Sequence, residues 1–172
     1  VMRVVPDVLN PERQLMQAGA EIIGRDDKQA AVEIILLGVR ALNQAGILDL
    51  TIDLGLPCLA EAVLGDELTA MDAAVKDEMF KAISDRDITR LTKLPLKAAP
   101  HLAEIIDASG AAPDRLAEVA KILPDAAAEQ LSGLIDIATS LNGLLPDISI
   151  TLAPLDMQGY CYHTSVSFSV FG

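Results

Sequence analysis

The side chains best placed to do chemistry begin at Gln17. In the run Pro11 to Gly24, a period of two puts Leu15, Gln17, Gly19, Glu21 and Ile23 on one face of a strand. Gln14, Met16, Ala18, Ala20 and Ile22 take the other face, which is mainly apolar and suits a core. The first face offers an amide and a carboxylate on either side of a glycine, so the strand between them is bare. A glycine inside a strand often marks a close approach by a ligand or another backbone. An acid beside an amide suits a small cationic ligand rich in donors, such as an amino acid. The plainer alternative is a solvated strand face with a packing glycine.

A second polar group lies near the end of the chain. From Met157 to Phe171 a strand would carry Gln158, Tyr160, Tyr162 and Thr164 on one face and Gly159, Cys161, His163 and Ser165 on the other. Both tyrosines of the chain and one of its two histidines fall here. A pocket wall and an amphipathic strand with tyrosines at a sheet margin are both open readings. No catalytic set stands out, because a nucleophile would need Cys161 or a serine brought to a histidine. Asp26 and Asp27 sit at a helix start, where capping and the helix dipole explain them. Cys58, Cys161, His101 and His163 are too scattered to be read as metal ligands. There is no Gly-rich phosphate loop, and no cofactor is expected.

Elements must hold these groups in place. The chain has 172 residues, enough for one ordinary domain or two small ones. Hydrophobic residues make up 51% but aromatics only 3%, so the core must be Leu, Ile, Val, Ala and Met. A formal net charge of −12 repels phosphate backbones and argues against nucleic-acid binding. The longest apolar run, Ile34 to Val39, is far too short to span a bilayer. Two isolated cysteines suit a reducing, cytoplasmic setting.

Val1 to Val5 and Gln14 to Gly24 read as strands. Asp26 offers an N-cap for a helix from Lys28 to Ala45, with Val32, Ile35, Leu36, Val39 and Leu42 as its apolar stripe and Gly46 at its C-terminal stop. Leu48 to Leu54 alternates as a strand with one buried face, and Pro57 opens a short helix to Leu64. From Gly65 to Leu144, alanine and leucine dominate between Pro95, Pro100, Pro113 and Pro124. Helices are expected over Glu67–Ser84, Asp87–Leu91, Pro100–Ala108, Pro113–Leu123 and Asp125–Asn142. Ile148–Leu152 and Gln158–Phe171 return to strand. The expected class is therefore α+β with a mostly antiparallel sheet. Its expected parts are a first core portion over 1–64, a helical insert over 65–144 and last core strands over 145–172. The abrupt ends read as an excised piece of a longer protein, whose bare edge strands would associate.

Together these segments resemble the class II histidyl-tRNA synthetase family. They are most similar to its non-aminoacylating paralogue, the regulatory subunit of ATP phosphoribosyltransferase. Val1 to Gly24 resembles the second class II motif, an arginine strand, a loop and a Gln-x-x-x-Glu strand before a glycine. Asp27 to Gly55 resembles the helix and strand that follow. Leu155 to Phe168 resembles the signature strand Arg-Gly-x-Asp-Tyr-Tyr-Thr-Gly.

The resemblance implies a histidine pocket formed by Gln17, Glu21, Tyr162 and His163, and it puts Arg3 at the position that holds the α-phosphate of ATP. The signature arginine, however, is Gln158 here, and an amide cannot supply its fixed positive charge. Such a loss typically costs on the order of 10²-fold or more in rate. Val5 stands in place of an acid, Cys161 in place of the signature aspartate, and the ATP loop lacks its basic residue. The resemblance thus implies a regulatory subunit without synthetase chemistry. It would partner a short-form ATP phosphoribosyltransferase catalytic subunit, take histidine as effector and form a homo-oligomer in the full-length protein. The alternatives are an active or degenerate histidyl-tRNA synthetase, and a helical interaction module with a vestigial pocket.

Overall fold

The computed structural model describes residues 17–110, 113–156 and 165–172. Helix α1 spans Lys28–Gln44. It starts at Lys28 as expected, but the cap is Asp27 and not Asp26: Asp27 is extended and its Oδ1 accepts the Ala30 N–H at 2.8 Å. That bond satisfies one of the donors a helix start leaves open. Ile35 and Val39 are buried from the expected stripe, with Val32, Leu36 and Leu42 half-buried beside them. At the other end Gly46 N–H donates to Asn43 O and Ile47 N–H to Leu42 O, a Schellman stop that needs the positive φ of 87° at Gly46.

The expected strand over 48–54 begins later, as β1 at Thr51–Gly55. Asp49 lies in the left-handed region (φ 57°), which turns the chain after α1, and Leu48 is left exposed. Ile52 and Leu54 then face the core, while Thr51 and Asp53 face away and stay half-buried. Pro57 does not open the next helix. It sits in a turn, and α2 runs over Leu59–Leu64.

The continuous pattern over 67–84 is broken at Met71 and Asp72, both extended, giving α3 (Glu67–Ala70) and α4 (Ala73–Ser84). The break has a tertiary partner. The Glu67 carboxylate accepts the N–H groups of Lys97 and Ala98 at 2.8 and 3.1 Å, tying α3 to the start of α6 (Ala99–Ala108). Between them lies α5, Ile88–Leu91, capped by Asp87. Helices α7 (Pro113–Ala120) and α8 (Asp125–Leu144) complete the set. On α8, Ala127, Leu131, Leu134, Ile137, Ala138 and Leu141 form a buried stripe at spacings of three and four.

Strands β2 (Ser149–Leu152) and β3 (Ser167–Phe171) flank β1 in a three-stranded sheet of order β2-β1-β3. The α+β class is as expected. The described sheet is mixed: β1 pairs with β3 antiparallel and with β2 parallel, Ile52 opposite both Val170 and Ile150. A parallel pair needs a long crossover, and residues 56–148 supply it. Helices α2 to α8 lie on that crossover, and one cluster of buried side chains runs from Ile35 through them to Leu155. No polar or charged residue among those described is fully buried.

The strand expected over 14–24 is not found where it is described. Residues 17–23 carry no strand pairing, and Gln17, Gly19 and Glu21 are exposed. A strand exists only through hydrogen bonds to a neighbour. Among the described residues β1 pairs with β2 and with β3, and no strand pairs with 17–23.

Candidate functional site

Of the residues proposed to line a pocket, Gln17 and Glu21 lie on the surface in irregular chain. Arg3, Gln158, Cys161, Tyr162 and His163 lie outside the described residues. Among the described residues no atom comes within 4 Å of a Cβ built at Gly19.

The structure does bring the neighbours of both groups together. Ile22 and Arg25, just after Glu21, line the same hollow as Ser165 and Phe168, just after His163. Its volume is about 230 Å³, and Ile34 and Ile35 of α1 form its floor. A second hollow of about 270 Å³ lies between Asp27, Cys58, Gly133 of α8 and Ser165. The approach of the two chain segments follows from two local causes. Asp27 pins the start of α1, and β3 is held by β1 in a fixed register, Phe168 opposite Leu54. The Phe168 ring also rests on α1, 3.7 Å from a Cβ built at Gly38.

An ion pair borders the first hollow. Arg25 donates from Nε and Nη2 to Asp27 Oδ2 at 3.0 and 2.7 Å. The Ala30 N–H and then the Arg25 guanidinium hold the Asp27 carboxyl below its ordinary range, and Asp27 in turn raises Arg25. Because both groups are exposed, water screens this pair strongly. Cys58 borders the second hollow. Burial, followed by the nearby Glu61, pushes its thiol pKa up, which disfavours the thiolate that nucleophilic chemistry needs. Among the described residues no His, Cys, Asp and Glu side chains cluster as metal ligands would. No described helix is long and apolar enough to cross a membrane.

A third, larger concavity, where Asp53 of β1 meets the C-terminal ends of α4 and α6, is formed by residues that the sequence reading did not single out.

A family model described as Histidyl-tRNA synthetase matches residues 1–172. A protein named ATP phosphoribosyltransferase regulatory subunit from Paramagnetospirillum magneticum is 34% identical over 99% of this chain and 45% of its own length. One of the same name from Rhodospirillum rubrum is also 34% identical, over 99% of this chain and 44% of its own length. Among solved structures, an ATP phosphoribosyltransferase regulatory subunit/histidyl-tRNA synthetase from Bacillus halodurans superposes with TM-score 0.65 at 19% identity, covering 87% of this chain and 40% of that one. A chain of the ATP phosphoribosyl transferase complex from Thermotoga maritima gives TM-score 0.62 at 15% identity, covering 86% and 52%. At such identities the structures speak for the fold. The chain spans less than half the length of these two relatives.

Proposed function

Because the chain belongs to the histidyl-tRNA synthetase family, we propose that it is part of a regulatory subunit of ATP phosphoribosyltransferase and carries no synthetase activity of its own. The observation that carries this reading is identity of 34% along almost the whole chain to proteins of that name. Gln158 in place of the signature arginine, Val5 in place of an acid and Cys161 in place of an aspartate support a lost adenylation reaction. Arg3 remains as a relic of the ATP position.

The partner is a short-form catalytic subunit, and the protein works in the cytoplasm as a homo-oligomer. Its effector is histidine, bound by Gln17 and Glu21 with Tyr162 and His163. The hollow shared by residues 22–25 and 165–168 supports this pocket, since it puts the chain leaving one half of the set against the chain leaving the other. Feedback then requires histidine to favour one state of the assembly, with a coupling of about 1–3 kcal/mol being typical.

Reconstitution tests the reading. Adding the intact protein to a short-form catalytic subunit should raise ATP phosphoribosyltransferase turnover, and histidine should reduce it. Absence of any activation would end the proposal. The description of the family model favours an active synthetase as the second reading. Histidine-dependent pyrophosphate exchange by the protein alone would establish that instead.

A further inference from the structure

The third concavity encloses about 700 Å³ and shares no lining residue with the hollows beside residues 22–27. A volume of that order suits a small metabolite. Lys81, Ser84 and Arg86 reach it from the end of α4, and Asp53 and Asp156 reach it from the sheet side, with Phe80 and Leu155 adding apolar surface.

Arg86 is the unusual member. Its N–H donates to Ile83 O and the next N–H, of Asp87, donates to Ala82 O, so Arg86 holds the C′ position of a Schellman stop with φ 53°. Glycine favours that position, as Gly46 illustrates at the end of α1, and an arginine there carries backbone strain. Its side chain is also poorly partnered. Of the described arginines, Arg25, Arg90 and Arg115 each hold a carboxylate, and Arg40 on the exposed face of α1 holds none. Arg86 meets none among the described residues, and its Nη2 reaches only Ile106 O, at 3.5 Å. Among the described residues this one long bond leaves most of the five guanidinium donors of the exposed Arg86 to solvent, in a chain with 25 acidic side chains against 13 basic ones. Exposed carbonyls at a helix end favour a nearby cation, which accounts for Lys81 in the last turn of α4. They do not account for an arginine at the strained position.

We propose that this cleft binds a small metabolite through an oxyanion head, carboxylate or phosphate, held by Arg86 and Lys81. Guanidinium and ammonium groups bind both kinds of oxyanion by charge-assisted hydrogen bonds, and the Ser84 hydroxyl adds a neutral donor. Asp53 already accepts from Thr151 Oγ1 at 2.8 Å, and its remaining acceptor capacity faces a ligand body with hydroxyl or amino groups. The Asp53 charge opposes a second anionic group on that side. This site does not depend on the histidine pocket proposed above.

The test is an amide NMR titration of the intact protein with inorganic phosphate and, separately, malonate, at constant ionic strength with chloride as control. Saturable shifts at residues 81–86 and 106–109 are expected for at least one probe. Saturation by phosphate alone identifies a phosphate head, and saturation by malonate alone a carboxylate. Arg86→Gly should weaken binding about tenfold or more while Tm holds or rises, because strain is released. Lys81→Gln, a change at an exposed position, should weaken binding with at most a small fall in Tm from the lost helix-end charge. Non-saturating shifts with both probes, identical shifts with chloride, or undiminished binding in both variants would overturn the proposal.

Discussion

Two regions of this molecule carry apolar side chains at regular spacing, and they end in opposite states. In the crossover between β1 and β2, Leu102, Leu116, Leu131, Leu134 and Leu141 are fully buried. In the segment before α1, Ile23 is 87% exposed and Gln17 and Glu21 project into solvent. The difference lies in how each backbone meets its hydrogen-bonding needs. A helix satisfies its interior N–H and C=O groups within itself, so an apolar stripe forms and docks in one step. A strand segment depends on a neighbour and stays on the surface where none of the described strands receives it. Stability therefore resides in the crossover and the sheet, and the exposed Gln17 and Glu21 contribute little to it.

The largest test of that division is Leu134→Ala on α8. It should cost on the order of 3 kcal/mol in urea unfolding, and the transition should stay single, because the helices and sheet share one buried cluster. Two separated transitions would divide the crossover from the sheet. Gly55→Ala should come next, at about 2 kcal/mol. A Cβ there would meet Ser167 Oγ at 2.9 Å and the carbonyl oxygens of Ala153 and Asp156 at 3.3 Å, and backbone oxygens cannot step aside. An unchanged midpoint would mean that the junction of all three strands is looser than this packing.

Asp27→Ala should lower Tm by less than either, through loss of the α1 cap. Its pH dependence has a definite sign. The folded carboxyl lies below its ordinary pKa, so the stabilisation is complete above the ordinary carboxylate range and is lost as pH falls through the lowered folded value. Asp27→Asn keeps a capping oxygen and should flatten that part of the acid limb in thermal melts. A limb of undiminished slope would assign it to other carboxylates, such as Glu78 beside Arg90. The smallest effect belongs to Glu21→Ala, which should leave the unfolding midpoint where it is. A clear loss of stability would move Glu21 into the structural part of the molecule.

How much was legible in the sequence follows the same line. The stripe of α1, the proline-marked starts of α6, α7 and α8, and strands β1 and β2 are readable because their signals are local. The break at Met71 and Asp72 was hidden, since no glycine or proline marks it and its partner, the start of α6, lies some thirty residues away. Asp49 and Arg86 take left-handed backbone at residues that do not advertise it. Asp26 and Asp27 are indistinguishable as caps until the side chain that reaches Ala30 is seen. The candidate site was legible as residue types on an assumed strand. The strand itself was the weak step, because pairing is a property of two segments. The cleft at Arg86 was illegible for the same reason, being assembled from helix ends and a sheet margin far apart in the chain.

Isothermal titration of histidine into the intact protein, alongside Glu21→Ala, bears most directly on the proposed pocket. Saturable heat that disappears in the variant, with Tm unchanged, is the expected result. No heat at millimolar histidine, or equal binding by the variant, would contradict recognition by the Gln17–Glu21 segment.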